Sequence, residues 1–97
     1  MSLAFGYYSK AADPESFFKT TAGIIKRKVS SRNYRVDAGQ SFLTGHFYIT
    51  VEDEAAKYRL ILSKEKSAEL QDKSQDSLEI FLWSEFEKQG LPSYKFQ

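Results

Sequence analysis

Apolar and polar positions alternate through the middle of the chain, and this pattern predicts a β-hairpin over residues 42–63. The first strand is expected from Leu43 to Glu52, because side chains at every second position share one face of a strand and that face is apolar here. The second strand is expected over 57–63, after a turn at 53–56. The register that sets apolar side chains opposite one another pairs Phe47–Leu62, Tyr48–Ile61, Ile49–Leu60, Thr50–Arg59, Val51–Tyr58 and Glu52–Lys57.

The first helix is expected to begin at Asp13, which can cap free backbone amides, with Pro14 in the first helical position. From Phe17 to Val29, apolar residues recur at three- and four-residue spacing and would form one wide face of a helix. Gly23 weakens the centre of this segment by about 1 kcal/mol relative to alanine, so an end just before it is the alternative. The apolar spacing favours the longer helix, which would run to about Lys28.

A second helix is expected towards the carboxyl end of the chain. It would begin at Ser74 or Asp76 and stop at Gly90, which can take the left-handed cap before the helix-breaking Pro92. Leu78, Ile80 and Leu82 also stand at every second position, so a strand over 77–83 is the alternative. The carboxylates of this segment and its Gly-Leu-Pro ending favour the helix.

Weaker patterns complete the predicted fold. They are extended segments at 3–8 and 93–97, a short strand over 34–36 that ends at 37–40, and a helical turn at 67–72. The chain has 97 residues, which suits one domain over 1–97. We therefore predict an α+β fold in which a small antiparallel or mixed sheet is built on the central hairpin (42–63), with two helices packed on one face.

Composition removes several classes of chemistry. The chain has no cysteine and one histidine, His46, which excludes disulfides and cysteine nucleophiles and leaves zinc few ligands. The five glycines are scattered and form no phosphate-binding loop. The carboxylates at 52–54 lack the spacing of a calcium loop, and a solvated turn explains them better. We therefore expect a protein without catalytic activity, metal or cofactor.

The location of the protein is predicted from the same composition. No apolar run approaches the length of a membrane span, and the amino end does not have the pattern of a signal peptide. Together with the absence of cysteine, these features favour a soluble, cytoplasmic protein.

A basic segment at residues 26–35 gives the most concentrated charge. Its cations and its tyrosine are Lys26, Arg27, Lys28, Arg32, Tyr34 and Arg35. The cations can neutralise phosphates and the tyrosine can stack on an unpaired base, so nucleic-acid binding is one hypothesis. Against it, the dipole favours cations at a helix carboxyl end, and the net charge of the chain is only +1.

Aromatic residues make up 15% of the chain, and six of them are Tyr. Tyr and Trp are enriched at interfaces because they combine a large area with a polar group. We therefore predict a small protein-interaction domain that binds a protein partner or pairs with itself as a homodimer. The expected interfaces are the extended terminal segments and the mixed face of the hairpin, which is formed by His46, Tyr48, Thr50, Arg59 and Ile61. A third hypothesis is a ring-lined pocket for a small ligand between helix and sheet.

Overall fold

The computed structural model describes residues 13–92, which form an α+β fold of three helices and a three-stranded antiparallel sheet. The elements in chain order are α1 (Pro14–Ser30), β1 (Arg35–Gln40), β2 (Phe47–Glu52), β3 (Lys57–Leu62), α2 (Lys64–Lys73) and α3 (Ser77–Lys88). The extended segments predicted at 3–8 and 93–97 lie outside the described residues. Between residues 13 and 92, no helix has the length and apolar character needed to cross a membrane.

The hairpin of β2 and β3 has the predicted register. Phe47 pairs with Leu62, Ile49 with Leu60 and Glu52 with Lys57, and the three remaining pairs follow in step. The turn is closed by Asp53, whose backbone amide donates to the Ala56 carbonyl at 2.9 Å. The alternation of apolar and polar residues therefore identified the pairing correctly, because a shift by one residue would turn the apolar side chains away from the core.

The predicted start of this hairpin at residues 42–46 is wrong. β2 begins at Phe47, and the preceding residues form a turn that joins β1 to β2. Gly45 has a φ of +76°, in the left-handed region that glycine adopts without steric cost and that interrupts a strand. Leu43 and Gly45 therefore do not extend the apolar face of β2.

β1 is longer than predicted. The strand was expected to end before Asp37, but it runs from Arg35 to Gln40 and pairs along its whole length with β2, from Arg35–Glu52 to Gln40–Phe47. The small and polar residues 37–40 have low strand propensity. Tertiary pairing with a strongly apolar neighbouring strand overrides that propensity, because propensity in sheets depends on context.

α1 follows the longer of the two predicted versions. Its cap is Asp13, whose carboxylate accepts a hydrogen bond from the Ser16 amide at 2.9 Å, and the helix continues through Gly23 to Ser30. Phe17 and Phe18 are fully buried, and the ring of Phe18 stacks on Phe47 with a centroid distance of 4.9 Å. Burial of this wide apolar face outweighs the cost of one glycine in the helix.

The described part of the chain ends with two helices, where the sequence predicts one helix and a single helical turn. α2 is a full helix, capped by the Ser63 hydroxyl, which accepts from the Lys66 amide at 3.1 Å. Residues 77–83 belong to α3 and are helical. The end of α3 is a Schellman motif, in which the Leu91 amide donates to the Phe86 carbonyl at 3.1 Å and Gly90 has a φ of +106°.

One apolar core lies between the helices and one face of the sheet. α1 packs over β1 and β2, α3 contacts β3, and α2 packs against the other two helices. The fully buried large side chains are Phe17, Phe18, Ile25, Val29, Phe47, Ile49, Val51, Leu78, Leu82, Phe86 and Leu91. Because the helices cover one face of the sheet only, its opposite face stays uncovered by the described residues.

Candidate protein-interaction surface

The turn between β1 and β2 is held in place by a set of short hydrogen bonds. The Ser41 amide donates to the His46 carbonyl at 2.7 Å, and the Ser41 carbonyl accepts from the Gly45 amide at 2.9 Å. Side chains add to these bonds, since the Thr44 hydroxyl accepts from the His46 amide at 3.2 Å. The Gln40 side-chain amide donates to the Gly45 carbonyl at 2.9 Å. The turn therefore has a defined shape rather than that of a loose loop.

Phe42 and Leu43 form the tip of this turn. Phe42 is 100% exposed and Leu43 is 91% exposed, so neither side chain contributes to the core. Burying one such side chain against a partner is worth about 1.5–3 kcal/mol. The hydrogen-bonded turn therefore presents two adjacent large apolar side chains to solvent. We call these two residues the hairpin tip.

Tyr48 lies on the uncovered face of the sheet and contacts residues of both neighbouring strands. The Tyr48 ring lies across Gly39 on β1, where a Cβ would come within 2.9 Å of its hydroxyl oxygen. On the other side, the Arg59 guanidinium of β3 lies 5.6 Å from the ring centroid, a cation–π distance. Glycine at position 39 therefore gives the ring room to lie flat over the sheet, and the three strands share one aromatic contact.

Four of the five predicted interface residues lie together on this uncovered face, which we call the open face. Tyr48 pairs with Ile61 and Thr50 pairs with Arg59, so the four form two adjacent cross-strand pairs. Ile61 is 63% exposed, whereas Thr50 is only 6% exposed and has little area to offer a partner. His46 lies in the turn before β2 rather than on the strand.

The open face also carries charges of both signs and a shallow concavity. The concavity has a volume of about 350 Å³. It is lined by Asp37, Ser41, Tyr48, Thr50, Glu52, Lys57 and Arg59. Cations alternate with carboxylates across the strands, as Arg35 pairs with Glu52 and Glu52 with Lys57. The open face therefore combines charges of both signs with an aromatic ring and an arginine.

The hairpin tip is the part of this surface that was not predicted from the sequence. Leu43 was expected on the apolar face of a strand, and Phe42 had no predicted role. The sequence does contain a signal, because Phe42 and Leu43 are consecutive apolar residues that interrupt the alternation just before Thr44 and Gly45. A turn-forming pair that follows two adjacent apolar residues indicates exposure at a tip rather than burial in a strand.

The three cations in the first half of the basic segment have different neighbours. Lys28 forms an ion pair with Glu79 of α3 at 2.6 Å, which links two helices. Lys26 lines a groove between α1 and β1, and Arg27 is exposed on α1. These three neighbouring cations therefore point to different parts of the surface, as expected for successive positions of a helix.

The second half of the basic segment lies beside carboxylates. Arg32 and Arg35 line a depression together with Asp53 and Glu54. Tyr34 packs against the core, and burial together with the nearby Asp53 carboxylate raises the pKa of its phenol. A tyrosine that packs inward has little ring surface left for stacking on a base.

His46 and Asp53 each take part in a turn beside β2. The His46 backbone amide donates to the Thr44 hydroxyl, and the His46 carbonyl accepts from the Ser41 amide. These bonds hold the turn in place through the backbone of His46, not through its imidazole. The Asp53 carboxylate accepts hydrogen bonds from the amides of Ala55 and Ala56 at 2.9 and 2.8 Å, so it shapes the β2–β3 turn. Residues 13–92 contain no group of three or more side chains able to hold a metal ion.

The hypothesis of a ring-lined ligand pocket concerns the space between the helices and the sheet. Aromatic side chains fill the core, as the stacked pair Phe18 and Phe47 illustrates. The opening that does lie between α1 and β1 is a surface groove of about 270 Å³. It is lined by Lys19, Ala22, Gly23, Lys26, Val36, Asp37 and Ala38, none of which is aromatic.

Comparisons of the chain with protein-family models, with curated proteins and with solved structures found no match.

Proposed function

We propose that this protein is a non-enzymatic protein-interaction domain, and that the hairpin tip and the open face together form its binding surface. The observation that carries the proposal is the full exposure of Phe42 beside the exposed Leu43, on a turn fixed by hydrogen bonds. An apolar pair in this position stabilises nothing within the described fold. Its removal from water by a partner would add binding energy that the free domain does not use.

The open face supports the same proposal. Tyr48 and Arg59 belong to the residue types that most often dominate binding energy in interfaces, and the Arg59 guanidinium lies 5.6 Å from the Tyr48 ring centroid. Ile61 adds exposed apolar area beside them. The hairpin tip would act as the anchor, and the open face would add specificity through its mixed charges.

Nucleic-acid binding through residues 26–35 has weaker support. Lys28 is engaged by Glu79, and Arg32 and Arg35 have Asp53 and Glu54 as neighbours, which reduces the positive potential that a phosphate would meet. A salt titration of binding to labelled single-stranded RNA and duplex DNA separates the two functions. Strong binding that falls steeply with salt and is lost in the Arg32→Ala, Arg35→Ala double variant would favour nucleic acid.

Site-specific photocrosslinking tests the proposal and can capture a partner of any identity. The photoreactive residue p-benzoylphenylalanine replaces Phe42 in the full chain. The variant is expressed in cells of the kind that naturally produce the protein, and the cells are then irradiated. The matched control places the same residue at Ile80, which is 61% exposed on α3. We expect discrete protein adducts from position 42 that are absent from position 80. Equal adducts, or none, at the two positions would contradict the proposal.

Self-association is distinguished by sedimentation velocity over a range of concentrations. If the partner is a second copy of the chain, wild type should form dimers, and the Phe42→Ser, Leu43→Ser double variant should remain monomeric. If the partner is a different protein, wild type alone should sediment as a monomer at every concentration.

A further inference from the structure

The two edges of the sheet differ in whether their backbone groups have partners. At the β3 edge, the side-chain amide of Gln89 donates to the Arg59 carbonyl at 2.8 Å and accepts from the Arg59 amide at 3.1 Å. Gln89 therefore covers this edge as one residue of an added strand would. No side chain among residues 13–92 bonds the β1 edge in this way.

The backbone groups that β1 turns outward follow from the hydrogen-bond alternation of an antiparallel ladder. The Ser41 amide bonds the His46 carbonyl at 2.7 Å, so the pairs two and four residues further along, Gly39–Tyr48 and Asp37–Thr50, also bond across the ladder. The amides and carbonyls of the intervening residues, Val36 and Ala38, consequently point away from β2. They form an edge that can pair with another strand.

A groove runs beside this outward edge, between α1 and β1. Its volume is about 270 Å³, and its apolar lining comes from Ala22 and Gly23 of α1 together with Val36 and Ala38 of β1. A Cβ built on Gly23 meets no atom within 4 Å, so open space lies over this glycine. A strand added at the β1 edge would direct every second side chain into this space.

The charges around the groove decide which kind of strand it fits. Lys19 and Lys26 of α1 lie on its wall, about one helical turn on either side of Gly23. Lys19 forms an ion pair with Glu15 at 3.1 Å, and both side chains are about half exposed. A second copy that paired through its own β1 would bring two more lysines to the same place, which is repulsive. A segment with acidic side chains would instead meet the two lysines, which outnumber the single carboxylate of the lining, Asp37.

We propose that the β1 edge is a second binding site, which captures an extended segment of a partner protein as a fourth strand of the sheet. That segment carries small apolar side chains that enter the groove over Gly23 and acidic side chains that face Lys19 and Lys26. This site is separate from the hairpin tip and does not depend on it. The two sites lie at different parts of β1 and its following turn, so one partner chain can reach both.

Amide hydrogen exchange of the free, full-length chain is the first test. We expect the Val36 and Ala38 amides to exchange rapidly, and the Asp37 and Gly39 amides to be protected by their bonds to β2. Protection of Val36 and Ala38 that disappears on dilution would show that a second copy occupies the edge. Protection that persists on dilution would show that another segment of the same chain occupies it. Either result would overturn the proposal.

Peptide selection is the second test. Random peptides of about ten residues, long enough to follow β1 at about 3.3 Å per residue, are displayed and selected against the full chain. The variant Ala38→Pro removes one outward amide without removing a bond to β2, because proline is tolerated at strand edges when its nitrogen faces outward. Ala38→Ser keeps the amide and is the matched control. Urea unfolding confirms that both variants fold.

The proposal predicts the outcome of the selection in two respects. Selected peptides should be acidic with alternating apolar positions, and synthetic versions should bind Ala38→Pro at least about tenfold more weakly than wild type or Ala38→Ser. Lys26→Glu should weaken binding by about two- to fivefold, whereas Lys73→Glu on α2 should not. Peptides that bind Ala38→Pro as well as wild type, or a selection without enrichment, would overturn it.

The same peptides separate this proposal from that of the hairpin tip. The Phe42→Ser, Leu43→Ser double variant should bind them with unchanged affinity. Peptide binding that fails in this double variant but survives Ala38→Pro would assign the peptides to the tip and overturn the edge site. Failure of the photocrosslinking experiment at position 42 would leave the edge result unaffected.

Discussion

Phe42 and Phe47 offer a direct comparison, because the same side chain is fully exposed at one position and fully buried at the other. Phe47 stacks on Phe18 inside the core, so Phe47→Ala removes buried contacts and leaves a cavity, which costs about 3–5 kcal/mol. Phe42→Ala removes a side chain that packs on nothing in the described fold, and exposed changes of this kind stay within about 0.5 kcal/mol. A domain of this size is stable by about 5–15 kcal/mol, so Phe47→Ala removes a large share of that stability.

Urea unfolding followed by far-ultraviolet circular dichroism measures both effects. With a slope of about 1–3 kcal/mol per molar urea, Phe47→Ala should lower the midpoint by about 1–5 M. Phe42→Ala should leave it within about 0.5 M of wild type. The reasoning would be refuted if Phe42→Ala destabilised the monomer by more than about 1 kcal/mol, because Phe42 would then be part of the core rather than a free anchor.

Substitutions at three further positions test the local structure. Asp13→Ala should lower the urea midpoint at neutral pH. Hydrogen bonding to Ser16 lowers the pKa of the Asp13 carboxyl. The contribution of its charge to folding stability is therefore fully present above the ordinary carboxyl pKa and is lost as the pH falls through the lowered value. The urea midpoints of wild type and Asp13→Asn should therefore converge in acid. Gln89→Ala should cost about 1 kcal/mol and speed amide exchange at Arg59. Gly39→Ala should displace the Tyr48 ring, seen as shifted ring proton resonances, because the added Cβ would lie 2.9 Å from the Tyr48 hydroxyl oxygen; a stability change above about 1 kcal/mol is not expected, since that ring end can move.

The parts of the fold that the sequence predicted are those in which local chemistry and burial agree. The β2–β3 register follows from alternating side chains, and α1 follows from its Asp13 cap and its apolar spacing. The end of α3 follows from Gly90, since few other residues adopt its backbone conformation without strain. In each case one short stretch of sequence contains the whole signal.

The parts that the sequence did not predict depend on contacts between distant segments. β1 was expected to end before Asp37, because residues 37–40 form a strand only through pairing with β2. That error hid the turn after β1 and left Leu43 assigned to a strand. The open face was predicted because period-two patterning gives both faces of a strand at once. The Tyr48 contacts with Gly39 and Arg59 join three strands, and no local pattern indicates them.

The central claim is that the hairpin tip anchors a protein partner. The most direct measurement is the dissociation constant of the protein crosslinked at position 42, determined by isothermal titration calorimetry with wild type, Phe42→Ser and the control Ile80→Ser. Loss of one buried anchor worth about 1.5–3 kcal/mol predicts an affinity about 10- to 150-fold weaker for Phe42→Ser, with Ile80→Ser unchanged. Equal affinities for wild type and Phe42→Ser would contradict the account.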